Sequence, residues 1–128
     1  MNASAAGTDS MTYVAAVVIW YVQLPDTPLC ANLQDQRQAQ RLHDRGVPLR
    51  VVESALLLAS LRRLVRPVDV PPLPPIRSLA YFQPVIDELL GHPPPDNYLE
   101  YLRYKMHRTL SQRPASAGVQ KTTISDDR

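Results

Sequence analysis

Three groups of basic residues have the type and spacing best suited to a chemical task. Arg37, Arg41 and Arg45 recur every four residues, which on a helix places them along one stripe. Arg62, Arg63 and Arg66 close a long apolar segment, and Arg103, Lys105, Arg108 and Arg113 crowd the last one. Charge is polarised along the chain: residues 35–66 carry seven arginines against three acids, whereas residues 67–97 carry one arginine against four acids. Guanidinium groups arrayed on helices make positioning contacts to nucleic-acid phosphates. Arg37, Arg41, Arg45, Arg62, Arg63 and Arg66 are therefore the candidate nucleic-acid-binding set, with DNA or RNA as the partner. The competing reading is an ordinary solvated face whose cations sit where helix C-termini favour them. A net charge of +2 excludes a histone-like polycation.

Other chemistry finds little support. His43, His92 and His107 are scattered, and Cys30 has no second cysteine nearby, so no metal site is expected. His43 beside Asp44, and Asp87 beside Glu88, are adjacent pairs that point about 100° apart on a helix and share no acid–base site. Phosphate loops, dinucleotide fingerprints and nucleophile elbows need clustered glycines, and Gly7, Gly46, Gly91 and Gly118 are far apart. We expect no catalytic residues, no cofactor and no enzyme. A single cysteine cannot form an internal disulfide, which points to a cytoplasmic protein. The run PPLPP at 71–75 resembles a ligand for a polyproline groove but reads better as a stiff linker that packs Leu73 onto the domain.

The elements that must position these residues follow from apolar periodicity and from punctuation. A chain of 128 residues with a hydrophobic fraction of 45% fills one core, not two. Thirteen prolines against four glycines reverse the ordinary balance of about 5% and about 7%, so proline must mark the joints. Met11 to Val22 is the strongest apolar run. Its β-branched residues suit a strand, yet no partner strand exists elsewhere, so it is read as a helix. It falls short of the roughly 20 residues that span a bilayer and has no basic flank, so neither a membrane span nor a signal peptide is expected. With Tyr13, Val17, Trp20 and Tyr21 it forms the alternative candidate site, a protein-interaction face that docks on a partner or on a second copy.

A second helix is expected over Leu33 to Arg45, with Asn32 or a neighbour as cap, Asp35 in the first turn and Gly46 beyond the end. Pro48 opens a third that runs to Arg66, and its ALLLA stretch at 55–59, apolar on all sides, places this helix at the centre. The same stretch argues against a helix-turn-helix, whose recognition helix needs a polar face. Beyond the VDVPPLPP crossing, Ser78 caps Leu79 to Leu90, with a kink or a junction of two short helices at Pro84. Asp96 caps a last helix to Ser111, with Leu99, Leu102, Met106 and Leu110 on one stripe. The expected fold is an all-α single domain of about five helices over residues 11–113, built around helix 48–66 with proline-rich connections. Residues 1–10 and 114–128 read as disordered tails.

Several of these stretches also carry a resemblance. LPDTP at 24–28, RGVPL and VVESALLLASLRRL within 45–64, PPIRSLAYFQPVIDELL at 74–90 and NYLEYLRYKM at 97–106 resemble small uncharacterised helical bacterial proteins found with mobile-element or replication genes. The likeness spans about Tyr21 to Met106. The order of helices, with a tyrosine-containing helix after a hairpin, is also similar to helical domains of the DnaD replication-initiation type. The resemblance implies DNA-associated or assembly work, with a replication or mobile-element protein as a possible partner, and supplies no catalytic residue.

Overall fold

The computed structural model describes residues 9–67 and 69–112, and within them the chain is helical, with no strand. Helix α1 spans Ser10–Gln23, α2 Leu33–Asp44, α3 Leu49–Leu64, α4 Gln83–Gly91 and α5 Tyr98–Ser111, and a single 3-10 turn, Leu79–Phe82, precedes α4. Of the tails expected at 1–10 and 114–128, only Asp9 and Ser10 lie among the described residues. Asp9 is the N-cap of α1, accepting a hydrogen bond from the Thr12 amide at 3.3 Å, and Ser10 opens the helix.

Most boundaries have local causes. Asn32 and Asp35 form a reciprocal box at the start of α2: the Asp35 amide donates to Asn32 at 2.9 Å, and the Asn32 amide donates to the Asp35 carboxylate at 3.1 Å. The other end of α2 closes in a Schellman turn. The Gly46 amide donates to the His43 carbonyl and the Val47 amide to the Leu42 carbonyl, with Gly46 at φ +77°, where a Cβ would be strained. Pro48 sits just outside α3 in an extended conformation, one residue earlier than the first-turn position expected of it. Pro84 occupies the first turn of α4, where its missing N–H costs no hydrogen bond, so the 3-10 turn and α4 meet there. Asp96, expected to cap the last helix, instead lies inside a turn closed by the Tyr98 amide on the Pro95 carbonyl at 3.0 Å, and α5 begins after Asn97 without a side-chain cap.

Helix α3 packs against α1, α4, α5 and the 3-10 turn, while α1 packs chiefly on α2. The core joins Tyr13, Val17 and Tyr21 of α1, Ala39 and Leu42 of α2, Val52, Ala55 and Leu56 of α3, Phe82 and Ile86 beyond the crossing, and Leu102 and Met106 of α5. The proline crossing is tied down at its far end by two backbone contacts. The Ile76 amide donates to the Asp26 carbonyl at 2.8 Å, and the Leu79 amide donates to the buried Asp35 carboxylate at 2.9 Å. Asp26 stands at φ +64° in the turn after α1, where the Thr27 hydroxyl lies 2.9 Å from the Tyr21 carbonyl and 2.7 Å from that of Leu24.

Removing the Asp35 carboxylate leaves the buried Leu79 amide without its acceptor and opens the capping box. Asp35→Ala is expected to lower the free energy of unfolding by about 2–4 kcal/mol, measured by urea denaturation. Asp35→Asn, which keeps one acceptor oxygen, is expected to lose less.

Candidate interaction surfaces

The six candidate arginines are divided among different structural duties. Arg37, Arg41 and Arg45 are exposed along α2. Arg41 donates to Gln38 at 2.7 Å, Gln38 donates to Gln83 at 2.7 Å, and Gln83 donates to Asp87 at 3.0 Å, a row of side chains joining α2 to α4. Arg45 reaches the same Asp87 carboxylate at 3.8 Å. On the other side of α4, Glu88 accepts two hydrogen bonds from Arg62, at 2.9 and 2.7 Å. The Arg62 hydrogen bonds hold the Glu88 carboxyl below its ordinary range, and Glu88 in turn raises the Arg62 guanidinium. The adjacent acids of α4 thus point to different helices, as their 100° separation requires.

Arg63 is a strut. Its side chain is only 8% exposed and contacts the Asp26 carboxylate at 3.3 Å, the Pro74 carbonyl at 2.8 Å and the Tyr81 hydroxyl at 3.3 Å. The guanidinium carbon lies 5.5 Å from the centre of the Tyr81 ring. Arg66 donates to the Pro71 carbonyl at 2.9 Å. The cluster that reads as a phosphate-binding patch in sequence is therefore largely spent on the proline crossing and α4. Arg63→Ala is expected to destabilise the domain by about 2–3 kcal/mol, whereas Arg37→Ala is expected to change the urea midpoint little.

Helix α1 turns the expected docking residues inward. Tyr13, Val17 and Tyr21 are buried and Trp20 is half-buried, because residues spaced i, i+4 and i+8 share the face that meets α2 and α3. The Tyr13 hydroxyl donates to the Val47 carbonyl at 2.6 Å, and its ring meets His43 edge-on at 5.1 Å. Tyr21 meets Phe82 edge-on at 6.1 Å. Burial pushes the Tyr13 phenol up to about 12, and burial followed by the nearby Asp35 charge pushes Tyr21 up as well. The unfolded chain ionises these phenols near 10 and the folded chain higher, so deprotonation favours unfolding between those values. Stability from Tyr13 is expected to be complete below pH 10 and to fall as pH rises through about 12, measured by urea denaturation across that interval.

The outward face of α1 is apolar too. Met11 is 80% exposed and Ile19 51% exposed, Ala15 is exposed, and Val14, Val18 and Val22 are half-buried. No residue of α1 is charged. Between this face and α2 runs a groove of about 510 Å³, with Met11, Val14, Ala15 and Val18 on one wall and Leu33, Gln36, Arg37 and Gln40 on the other. The Ser10 hydroxyl donates to Gln40 at 3.2 Å across its end. Arg37 forms no ion pair among the described residues.

Helix α5, which carries the third basic group, has a second exposed surface outside the six candidate arginines. Tyr101 and Tyr104 are 53% and 58% exposed, and Arg108 lies 5.9 Å from the Tyr104 ring centre while donating to its hydroxyl at 3.2 Å. The Tyr98 and Tyr101 rings stack with centres 6.2 Å apart. Arg103 is taken by Glu53 through two hydrogen bonds at 2.9 and 2.8 Å. The signal for this surface was the i, i+3, i+7 spacing of Tyr101, Tyr104 and Arg108.

Among the described residues, no group of three or more His, Cys, Asp or Glu could hold a metal ion, and no helix is long and apolar enough to cross a membrane. No family model, curated protein or solved structure matches the chain.

Proposed function

We propose that this chain is a non-enzymatic helical interaction module that binds another protein through the outward face of α1 and the groove beside it. The observation that carries this reading is the combination of a fully uncharged helix with an exposed apolar face opening onto a groove of about 510 Å³. Exposed apolar surface of this kind costs solvation free energy, and a protein partner removes that cost. The site is Met11, Ala15, Val18 and Ile19 rather than the inward Tyr13, Val17 and Tyr21.

Photo-crosslinking tests it. A benzophenone side chain placed at Ala15 is expected to form protein adducts in the cells that make this chain, and to lose them when Val18→Glu is added. The same group placed at Lys105 serves as the control. Absence of an adduct at Ala15, or adducts indifferent to Val18→Glu, overturns the reading.

A second reading, a nucleic-acid-binding accessory of replication or of a mobile element in the cytoplasm, is favoured by a separate observation. Exposed Tyr101 and Tyr104 stand beside Lys105 and Arg108 on α5, a pairing of stacking surface with phosphate-binding charge. Asp87→Asn combined with Glu88→Gln releases Arg45 and Arg62 from their carboxylates. That double variant is expected to bind single-stranded DNA more tightly than the wild type at low salt, with a steeper salt dependence. No binding by either protein at low salt ends this reading.

A further inference from the structure

We infer that the occupant of the α1 face is a second copy of this chain, with the two α1 helices antiparallel about a two-fold axis. This inference rests on the reading of α1 as the contact surface and goes beyond it by naming the partner and the register.

The stripe along the outside of α1 is Met11, Ala15, Val18 and Val22, with spacings of four, three and four. That order reads the same in both directions, which a two-fold contact demands: if one residue meets another, the second must meet the first. Centring the axis between Ala16 and Val17 sets Ala15 against Val18 of the second copy. The same register sets Met11 against Val22, Val14 against Ile19, and Ser10 against Gln23. Each small side chain then faces a larger one, and the polar ends face each other.

Electrostatics fit the same partner. Two identical charged helices would repel across the axis, but α1 carries no charge, and antiparallel helix dipoles attract. The cation that lines the groove, Arg37, is on α2 rather than on α1. A partner chosen by charge would need a carboxylate opposite Arg37, whereas an uncharged apolar stripe is complementary to itself.

The available area sets the strength. A helix of 14 residues is about 21 Å long, and with the rim of α2 its face presents on the order of 500 Å². Standard stable interfaces bury about 800 Å² per partner, so the dimer is expected to be weak and concentration-dependent.

Sedimentation of the full chain up to about 1 mM is the first test. The wild type is expected to shift from monomer toward dimer as concentration rises, and Val18→Glu and Ala15→Arg are each expected to stay monomeric. Circular dichroism shows whether each variant keeps the helical content of the wild type. Two variants, one at exposed Ala15 and one at half-buried Val18, keep the test decisive if one fails to fold. Register is read by disulfide trapping in a Cys30→Ser background. Mixing Ala15→Cys protein with Val18→Cys protein is expected to trap a cross-linked dimer faster than either variant alone. A wild type that stays monomeric at about 1 mM overturns the inference, as does a dimer indifferent to both charge variants. Faster cross-linking of Ala15→Cys to itself overturns the antiparallel register. In the photo-crosslinking experiment, adducts with other proteins and none at twice the chain mass leave the interaction reading standing and remove this one.

Discussion

The fold depends on a single buried carboxylate. Asp35 accepts the Asn32 amide with one oxygen and the Leu79 amide with the other, joining the start of α2 to the chain 44 residues later. Between these points runs a crossing rich in proline, which lacks donors and cannot build its own hydrogen-bond ladder. The crossing must therefore be held by its neighbours. Asp35 fixes its far end, the Asp26 carbonyl holds Ile76, and Arg63 reaches both the Asp26 carboxylate and the Pro74 carbonyl. Around this joint the Tyr21 and Tyr81 rings each pack edge to face with Phe82, so polar and apolar contacts locate the same turn.

That requirement redirects the arginines. A guanidinium offers several donors in a planar fork, which suits it to bridging carbonyls and carboxylates in a joint as well as to binding phosphate. Arg63 and Arg66 serve the crossing, while Arg45 and Arg62 pair with the two acids of α4. The polarity of charge along the chain is thus in part internal complementarity, with Arg45 and Arg62 of the arginine-rich half meeting Asp87 and Glu88 of the acidic segment. Among the cations without a carboxylate partner in the described residues, Arg37 lies beside the α1 groove and Arg108 against Tyr104.

Two surfaces outlast the demands of folding. The outside of α1 is apolar with no charge to solvate it, and the outside of α5 sets two tyrosines beside cations. Both are on helices whose opposite faces fill the core, Tyr13 and Val17 on α1 and Leu102 and Met106 on α5. A helix with an apolar face on both sides gains only one of them from the domain's own packing. The second face of α1 accounts for the proposed antiparallel pairing.

Local signals decided the elements. Asn32 with Asp35, Gly46, Ser78 and Pro84 acted through hydrogen bonds or dihedral limits spanning a few residues, so the helix they bound was legible in the order of residues alone. The last helix start was misread at Asp96 because the Pro95 carbonyl closes a turn there, a competition between two local bonds that composition does not rank. Which face of α1 turned inward was not legible, since a helix apolar around its circumference has no preferred side until α2 and α3 approach it. Nor was the fate of the arginines, because the partners of Arg62 and Arg63 lie 26 and 37 residues away in sequence and meet them only in the folded domain. By itself the sequence determined the helices, because they answer to neighbours along the chain. Tertiary structure alone decided which charges and which apolar faces remain free, because that choice depends on contacts between distant segments.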